Sequence, residues 1–212
     1  YVDVTAVPRF TDATFRVEAD ALDALFRDAR SATRWSEREV PVDVIREVHE
    51  LVRWAPSANN SSPLRLVVAT SEHAREIIME HASRGNRVKL DRAPLIVVAA
   101  SDPRYHEHLD VTAPGLPGLY EVLESRPDAR AITAHDSAWL QIGFLILALR
   151  AAGLDVRPMA GFDKAGLSQA LLADRPWHPE LLLAVGYPAE DGDHGAGDRR
   201  GRPDWDAAAV EI

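Results

Sequence analysis

A run of short polar side chains interrupts the chain at residues 54–68, WAPSANNSSPLRLVV, between two apolar segments. The polar residues are Ser57, Asn59, Asn60, Ser61 and Ser62. An ordinary turn needs one or two residues of this kind. So much short-range hydrogen-bonding capacity favours either a generous loop or a loop that holds a polar, planar ligand.

Three short basic segments lie far apart in this acidic chain: DARSATRW at 28–35, GNRVK at 85–89 and RRGR at 199–202. Arginine donates two parallel hydrogen bonds to a phosphate group, so convergence of these segments would create an anion site. Their spacing alone gives equal weight to a second interpretation, in which each segment is ordinary charged surface.

Metal and hydrolytic chemistry have little support. His106 and His108 in YHEHLD, with Asp110 nearby, resemble a pair of metal ligands, but no second cluster in the sequence supplies the remaining ligands. We therefore expect no metal and interpret this segment as a solvated loop. The chain has no cysteine and no GxSxG motif, which argues against thiol, Cys-ligated zinc and triad chemistry.

The composition is that of an ordinary globular protein, with 46% hydrophobic and 27% charged residues over 212 positions. A net charge of −9 argues against nucleic acid or an anionic membrane as the main partner. The most apolar run, 138–149, is shorter than the roughly 20 residues that a spanning helix needs. No signal peptide is visible, so we expect a cytoplasmic protein.

The spacing of apolar residues predicts the elements that position these groups. Helices are expected at 20–30, 43–55, 71–83, 137–152 and 163–173. Strands are expected at 64–70, 93–101, 154–160 and 180–188. Residues 102–133 contain several prolines and are interpreted as an excursion with at most one short helix near 118–125. Because helices and strands mix without strict alternation, the predicted fold class is α+β.

Five motifs, in order over residues 20–212, resemble those of the FMN-dependent nitroreductase family. They are Arg30 in the first basic segment, APSANNSSP with Pro56, Ser57 and Asn60, GNRVK with Asn86 and Lys89, GLDVRPMAGFD, and RGRP with Arg200 and Arg202. LFRDAR, GNRVK, PMAGFD and Ser62 most resemble the branch of malonic semialdehyde reductases and 3-hydroxypropionate dehydrogenases. The chain departs from the family at Leu64, where Trp is frequent, and the Arg30 segment aligns only with a one-residue gap.

The resemblance implies a nitroreductase-like fold, in which helices flank a central, mostly antiparallel sheet and a C-terminal extension wraps the partner subunit. Residues 1–19 would be an N-terminal extension and residues 20–212 a single FMN-binding domain, with 102–133 as its lid. It also implies a homodimer with FMN at the interface. The phosphate arginines of one chain and the polar loop of the other would then serve the same site.

The family motifs also imply roles for individual residues. Lys89 would stabilise the anionic reduced flavin near N1, and the backbone N–H groups of Ala160 and Gly161 would face N5 and O4. No side chain is assigned as an essential acid or base. The full set of expected cofactor-binding residues is Arg30, Ser31, Pro56, Ser57, Asn59, Asn60, Ser62, Asn86, Lys89, Gln141, Ala160, Gly161, Arg200 and Arg202.

The expected activity is that of an FMN-dependent oxidoreductase. NAD(P)H would reduce the flavin, leave, and be replaced by a small semialdehyde, nitro or enone substrate, in ping-pong hydride transfer through N5. Two alternatives stay open on the same residues. One is a flavin-dependent oxidase or desaturase in a biosynthetic pathway, and the other is a non-catalytic flavin-binding protein.

Overall fold

The computed structural model describes residues 15–212, so most of the expected N-terminal extension at 1–19 lies outside the described residues. Its four strands are β1 (Leu64–Ala69), β2 (Leu95–Ser101), β3 (Asp155–Met159) and β4 (His178–Gly186). They form one sheet in the order β1-β2-β4-β3, and every neighbouring pair is antiparallel. The predicted α+β class and antiparallel sheet are confirmed, and each strand overlaps its predicted range.

Nine helices accompany the sheet within residues 15–212. They are α1 (Ala19–Leu22), α2 (Val42–Val52), α3 (Glu72–His81), α4 (Arg84–Asp91), α5 (Leu109–Thr112), α6 (Leu119–Glu124), α7 (Pro127–Ala151), α8 (Lys164–Leu171) and α9 (Trp205–Ala208). A wider turn, Asp23–Arg27, continues α1, and short 3₁₀ turns occupy Ala58–Asn60 and Tyr105–His108.

Local chemistry explains where several helices begin and end. Ser71 accepts a hydrogen bond from the N–H of Ala74 and caps α3, as its position predicts. Pro127 occupies the first turn of α7, where its missing N–H costs nothing. Gly153 follows α7 with a φ of 75°, a left-handed conformation that glycine adopts without strain.

The core lies on both faces of the sheet. Leu181, Leu183 and Val185 of β4 pack with α2 and α7 on one face. Leu182 and Ala184 alternate with them and pack with the opposite layer of α3, α4 and α8. Because successive strand residues point to opposite faces, a strand covered on both sides must be apolar throughout. Residues 95–100 of β2 and 181–185 of β4 are apolar and buried, so the two central strands hold the sheet's edges and ends in fixed positions.

Two expectations about the middle of the chain are wrong. Helix α7 begins at Pro127 rather than at residue 137, and the 102–133 segment holds a 3₁₀ turn and two short helices before it. His106 is not in a solvated loop, since it is 2% exposed and its Nε2 lies 2.6 Å from a carboxylate oxygen of Glu124. The ring also stacks on Tyr120. Local periodicity does not reveal such packing, because its partners lie up to 24 residues away.

Helix α7 is central but not buried all round, although residues 138–149 are the most apolar run of the sequence. Ala134, Ala138 and Leu145 are buried against the sheet, whereas Leu140 and Phe144 are exposed. By length and composition alone this helix could cross a membrane. Its packing against α2 and against β1, β2 and β3 is that of the core helix of a folded domain.

Candidate functional site

A cavity of about 800 Å³ lies beside β3 and is lined by arginines. Its guanidinium groups belong to Arg30, Arg150, Arg157, Arg199, Arg200 and Arg202. Within residues 15–212 none of the six forms an ion pair with a carboxylate. Arg30, Ser31, Arg200 and Arg202 were expected at one site, and the structure brings them together here. With six arginines and one aspartate, Asp198, in its lining, the cavity is strongly positive and suited to an anion.

The cavity's arginines are held in place by backbone carbonyl groups. Arg157 donates from Nη1 to the carbonyl of Ser31 at 2.6 Å, and Arg150 donates to that of Leu25 at 2.9 Å. Burial lowers the pKa of both Arg150 and Arg157, with Asp155 opposing the shift for Arg150. Guanidinium groups stay charged in proteins, so this burial concentrates positive charge. Arg150 and Arg157 were not expected at this site, whereas Arg199 belongs to the basic segment 199–202.

The C-terminal segment forms one wall of the cavity and is tied to the first basic segment. The N–H of Thr33 donates to the carbonyl of His194 at 2.8 Å, and the Thr33 hydroxyl donates to that of Gly195 at 2.7 Å. A Cβ on Gly195 would lie 2.5 Å from the Thr33 oxygen, so this contact requires glycine. Arg34 pairs with Asp191 and Asp193, which explains why Arg30 rather than Arg34 lines the cavity.

A second group of expected residues meets at the end of β3. Asn86 donates from Nδ2 to the carbonyl of Gly161 at 2.9 Å, and Lys89 donates to the Asn86 side-chain oxygen at 3.3 Å. The N–H of Ser83 also donates to that Gly161 carbonyl, at 3.0 Å. A Cβ on Gly161 would lie 2.8 Å from the Asn86 nitrogen, so a larger residue here would displace the Asn86 side chain.

This arrangement leaves two backbone donors free. Both Ala160 and Gly161 are exposed, and the N–H of each has no hydrogen-bond partner in the described part of the chain. Lys89 is half-buried and has no carboxylate partner there. The end of β3 therefore offers two adjacent N–H donors and one ammonium group to a ligand.

Strand β3 fixes the distance between these two groups. Arg157 lies within the strand and Gly161 follows four residues later. At roughly 3.3 Å per residue, the arginine cavity and the free N–H donors are about 13 Å apart along the chain. An elongated ligand with a phosphate at one end and a polar ring at the other could therefore contact both.

The polar loop that precedes β1 is strained and largely satisfied within its own chain. Asn59, Asn60 and Ser62 adopt φ angles of 51°, 54° and 44°, which non-glycine residues rarely do. Ser57 Oγ accepts from the N–H of Ser62 at 2.9 Å, and Asn60 Nδ2 donates to the carbonyl of Thr112 at 2.7 Å. The loop's shape is thus fixed before any ligand arrives.

Helix α7 anchors this loop. The N–H of Ala58 donates to Ser137 Oγ at 3.2 Å, and the N–H of Leu64 donates to Gln141 Oε1 at 3.1 Å. Gln141 is 1% exposed, so its amide is a buried support for the loop. A buried polar group that satisfies a backbone donor is costly to replace.

Within one chain the loop does not join the arginine cavity. Strand register places Leu64 opposite Ser101 and Ser101 opposite His178, at the end of the sheet where β3 also finishes. The loop and Gly161 therefore share one end of the sheet but lie at opposite edges. Three strand spacings of about 4.8 Å put them about 14 Å apart.

Glu180 lies between these edges and was not singled out by the sequence. Its carboxylate is 4% exposed and accepts from Ser101 Oγ at 2.7 Å, His135 Nδ1 at 2.9 Å, Lys164 Nζ at 2.9 Å and Trp139 Nε1 at 3.3 Å. Burial raises the pKa of Glu180, but the hydrogen bonds from Lys164, His135 and Ser101 outweigh it and lower the pKa below its ordinary value. The group is an anion at neutral pH. The sequence contained one indication of it, because Glu180 is a charged residue directly before the buried apolar run of β4.

Within residues 15–212 no group of three or more His, Cys, Asp or Glu side chains is arranged to hold a metal ion.

Comparisons with known proteins bear on the family and the fold of the chain. The family model described as the nitroreductase family matches residues 17–187. A protein of Streptomyces coelicolor, named as an NADH dehydrogenase/NAD(P)H nitroreductase, is 40% identical over 174 residues, covering 82% of this chain and 86% of that relative.

Solved structures show the same fold. A protein of Staphylococcus epidermidis named as an NAD(P)H:FMN oxidoreductase superposes with a TM-score of 0.76 at 20% identity, covering 93% of this chain and 98% of its own. A nitroreductase-named protein of Exiguobacterium sibiricum in complex with FMN gives 0.74 at 21% identity, covering 91% and 100%. The predicted nitroreductase-like fold is confirmed.

Proposed function

Since the chain belongs to the nitroreductase family, we propose that it is an FMN-dependent enzyme that uses NAD(P)H to reduce a small organic substrate. Family membership confirms the predicted oxidoreductase class. FMN is supported by its presence in the complex of the Exiguobacterium relative, and NAD(P)H by the name of the Streptomyces relative. A semialdehyde is the substrate class that we propose first, on the resemblance of LFRDAR, GNRVK and PMAGFD.

The observation that carries this proposal is the arginine cavity beside β3. Six guanidinium groups without carboxylate partners in the described chain, in a protein of net charge −9, call for an anionic ligand. The phosphate of FMN would bind there through Arg30, Ser31, Arg200 and Arg202, with Arg157 and Arg150 adding charge.

The end of β3 fits the other end of the cofactor. When bound, FMN supplies the hydride chemistry of the reaction. The N–H groups of Ala160 and Gly161 would donate to polar atoms of the ring, and Asn86 holds Gly161 in place for this. Lys89 would place positive charge where negative charge develops on reduction, which favours the reduced form.

The same proposal includes a homodimer with composite sites. Helix α7 exposes Trp139, Leu140 and Phe144, and the C-terminal segment exposes Trp205 and Ile212. Among residues 15–212, strand β1 has a neighbouring strand on one side only, and an apolar groove of about 310 Å³ lies between β1 and α2. The partner's C-terminal extension would cover this edge, and the partner's polar loop would complete the flavin site.

One spectroscopic experiment tests the function. The purified protein should be yellow, release FMN rather than FAD on denaturation, and lose its flavin colour quickly on anaerobic mixing with NADH or NADPH. An oxidase or desaturase would lose colour only with its own substrate, and a non-catalytic binding protein would lose it with no donor. Colourless protein that takes up no added FMN would contradict the proposal altogether.

A further inference from the structure

The buried carboxylate of Glu180 organises a second constellation at the end of the sheet. Both of its oxygens are fully engaged, Oε1 by Ser101 and His135 and Oε2 by Lys164 and Trp139. These donors come from β2, α7 and α8. A buried anion held by four donors is rigid, and it fixes the side chains that donate to it.

Strand register places this constellation next to the free N–H donors of β3. Met159 lies opposite Leu182 where the β3–β4 ladder ends, and from this pair Gly161 is two residues along one chain segment and Glu180 two residues along the other. Neighbouring strands are about 4.8 Å apart. Lys164, which also donates to Glu180, follows Gly161 by only three residues. The constellation therefore borders the surface on which the flavin ring is proposed to lie.

The contact with Glu180 determines the tautomer of His135. A carboxylate can only accept, so Nδ1 of His135 must carry the proton that joins it to Glu180 Oε1 at 2.9 Å. The Nε2 atom has no partner within residues 15–212, and the side chain is 49% exposed. The Trp139 ring packs edge-on against the imidazole, with the two ring centroids 6.1 Å apart, and limits its rotation. His135 thus presents one free, oriented nitrogen at the end of the sheet.

We propose that His135 Nε2 is the proton donor to the reduced substrate, oriented by Glu180. This inference rests on the proposed function. The bound cofactor would supply a hydride to the electrophilic atom of the substrate, and the displaced π electron pair would move to a substrate oxygen. The N–H bond of protonated His135 breaks as the O–H bond forms, and solvent returns the proton to Nε2. The pairing of an oriented imidazole with a buried carboxylate is suited to this proton transfer.

A purely structural role would predict different behaviour from variants. His135→Gln keeps a donor for Glu180 but cannot release a proton, so a structural network would survive this change. His135→Ala removes both functions, and added imidazole can restore only the proton donor. These two variants therefore separate proton donation from the support of α7.

The test uses the FMN-loaded enzyme, NADH or NADPH, and two acceptors. Menadione takes a hydride and a proton, whereas ferricyanide takes electrons only. With menadione, both variants should oxidise NAD(P)H about 100-fold more slowly than wild type. With ferricyanide, their rates should stay within about twofold of wild type. Added imidazole should restore part of the menadione rate in His135→Ala. An unchanged menadione rate in His135→Gln would overturn the inference while leaving the proposed function intact. A wild-type flavin that no nicotinamide reduces would overturn both.

A readout independent of turnover checks the geometry. In the ¹⁵N NMR spectrum of histidine-labelled protein, neutral His135 should carry its proton on Nδ1, and Glu180→Gln should release that preference. Protonation of Nε2 in neutral wild-type His135 would show that Glu180 does not orient the ring, and would contradict the inference.

Discussion

The two edges of the sheet contribute to the candidate site in opposite ways. At the β3 edge, within residues 15–212, the cavity's arginines have no carboxylate partner and the exposed N–H groups of Ala160 and Gly161 have no hydrogen-bond partner. At the β1 edge, Ser57 and Asn60 of the polar loop form hydrogen bonds within their own chain. The β3 edge is built for affinity, and the β1 edge is built for shape.

The difference teaches where binding energy should reside. Unpaired charges gain a partner when an anion binds, so changes at the β3 edge should alter cofactor affinity directly. A loop held in left-handed conformations by internal bonds presents a fixed surface to whatever approaches it. Changes there should act on the neighbouring chain's site if the dimer proposal is right.

Reversing a charge in the arginine cavity should give the largest effect. Arg30→Glu should weaken FMN binding by about 3 kcal/mol, or about 100-fold, because it removes a donor to phosphate and adds repulsion. Arg34→Ala is the matched control, since Arg34 is 50% exposed and pairs with Asp191 and Asp193 instead. It should change FMN affinity far less than Arg30→Glu, because exposed ion pairs contribute little. Fluorescence titration of the apoprotein with FMN measures both, and equal losses would break the assignment of Arg30 to the cavity.

Glu180, between the two edges, should affect stability next most strongly. Its pKa is lowered in the fold, so its contribution to stability is fully present above the unfolded value of about 4.3 and is lost as the pH falls through the folded value. Glu180→Gln should reduce the free energy of unfolding by about 2 kcal/mol at pH 7. Urea unfolding measures this difference in the free energy of unfolding between Glu180→Gln and wild type, which should shrink as the pH falls through the folded pKa of Glu180. A difference that stays constant from pH 7 to pH 3 would show that the charge does not stabilise the fold.

The smallest of these effects is on the flavin's potential. Lys89→Met should make the midpoint potential more negative by about 20–40 mV, since about 1–2 kcal/mol of charge stabilisation is lost from a two-electron couple. Affinity for oxidised FMN should change less, because the charge acts mainly on the reduced form. Arg87→Met on the same helix is the control, as Arg87 is exposed and binds the carbonyl of Glu80. Equal shifts in the two variants would place Lys89 away from the ring.

The strands and most of the main helices could be predicted because their signals are local. An apolar run between turn residues predicts β1 and β2, and Ser71 marks the start of α3 through its own side chain. The start of α7 was missed because residues 127–136 are polar and small, and become helical by continuing a long core helix. Burial of His106 depends on partners that no local pattern contains.

The candidate site divides in the same way. Arg30, Asn86, Lys89, Gly161 and the C-terminal arginines were found through motifs. Arg157 was missed because its guanidinium reaches Ser31, 126 positions earlier in the chain. Glu180 and His135 were missed for a similar reason, since α7 and β4 are brought together only by the fold. Long-range pairs of this kind carry no signature in the spacing of either residue.

Mixed dimers test most directly the claim that the two edges serve one composite site. Arg30→Glu damages the β3 edge, and Asn60→Asp places a carboxylate at the β1 edge, so each homodimer should have both sites damaged. In a mixed dimer one site receives both changes and the other receives neither. With random mixing, about half of the dimers are mixed, so co-expression should restore FMN binding and NAD(P)H oxidation to about a quarter of the wild-type level. No recovery in dimers shown to be mixed would mean that the loop and the arginines of one chain do not complete each other's site across the interface.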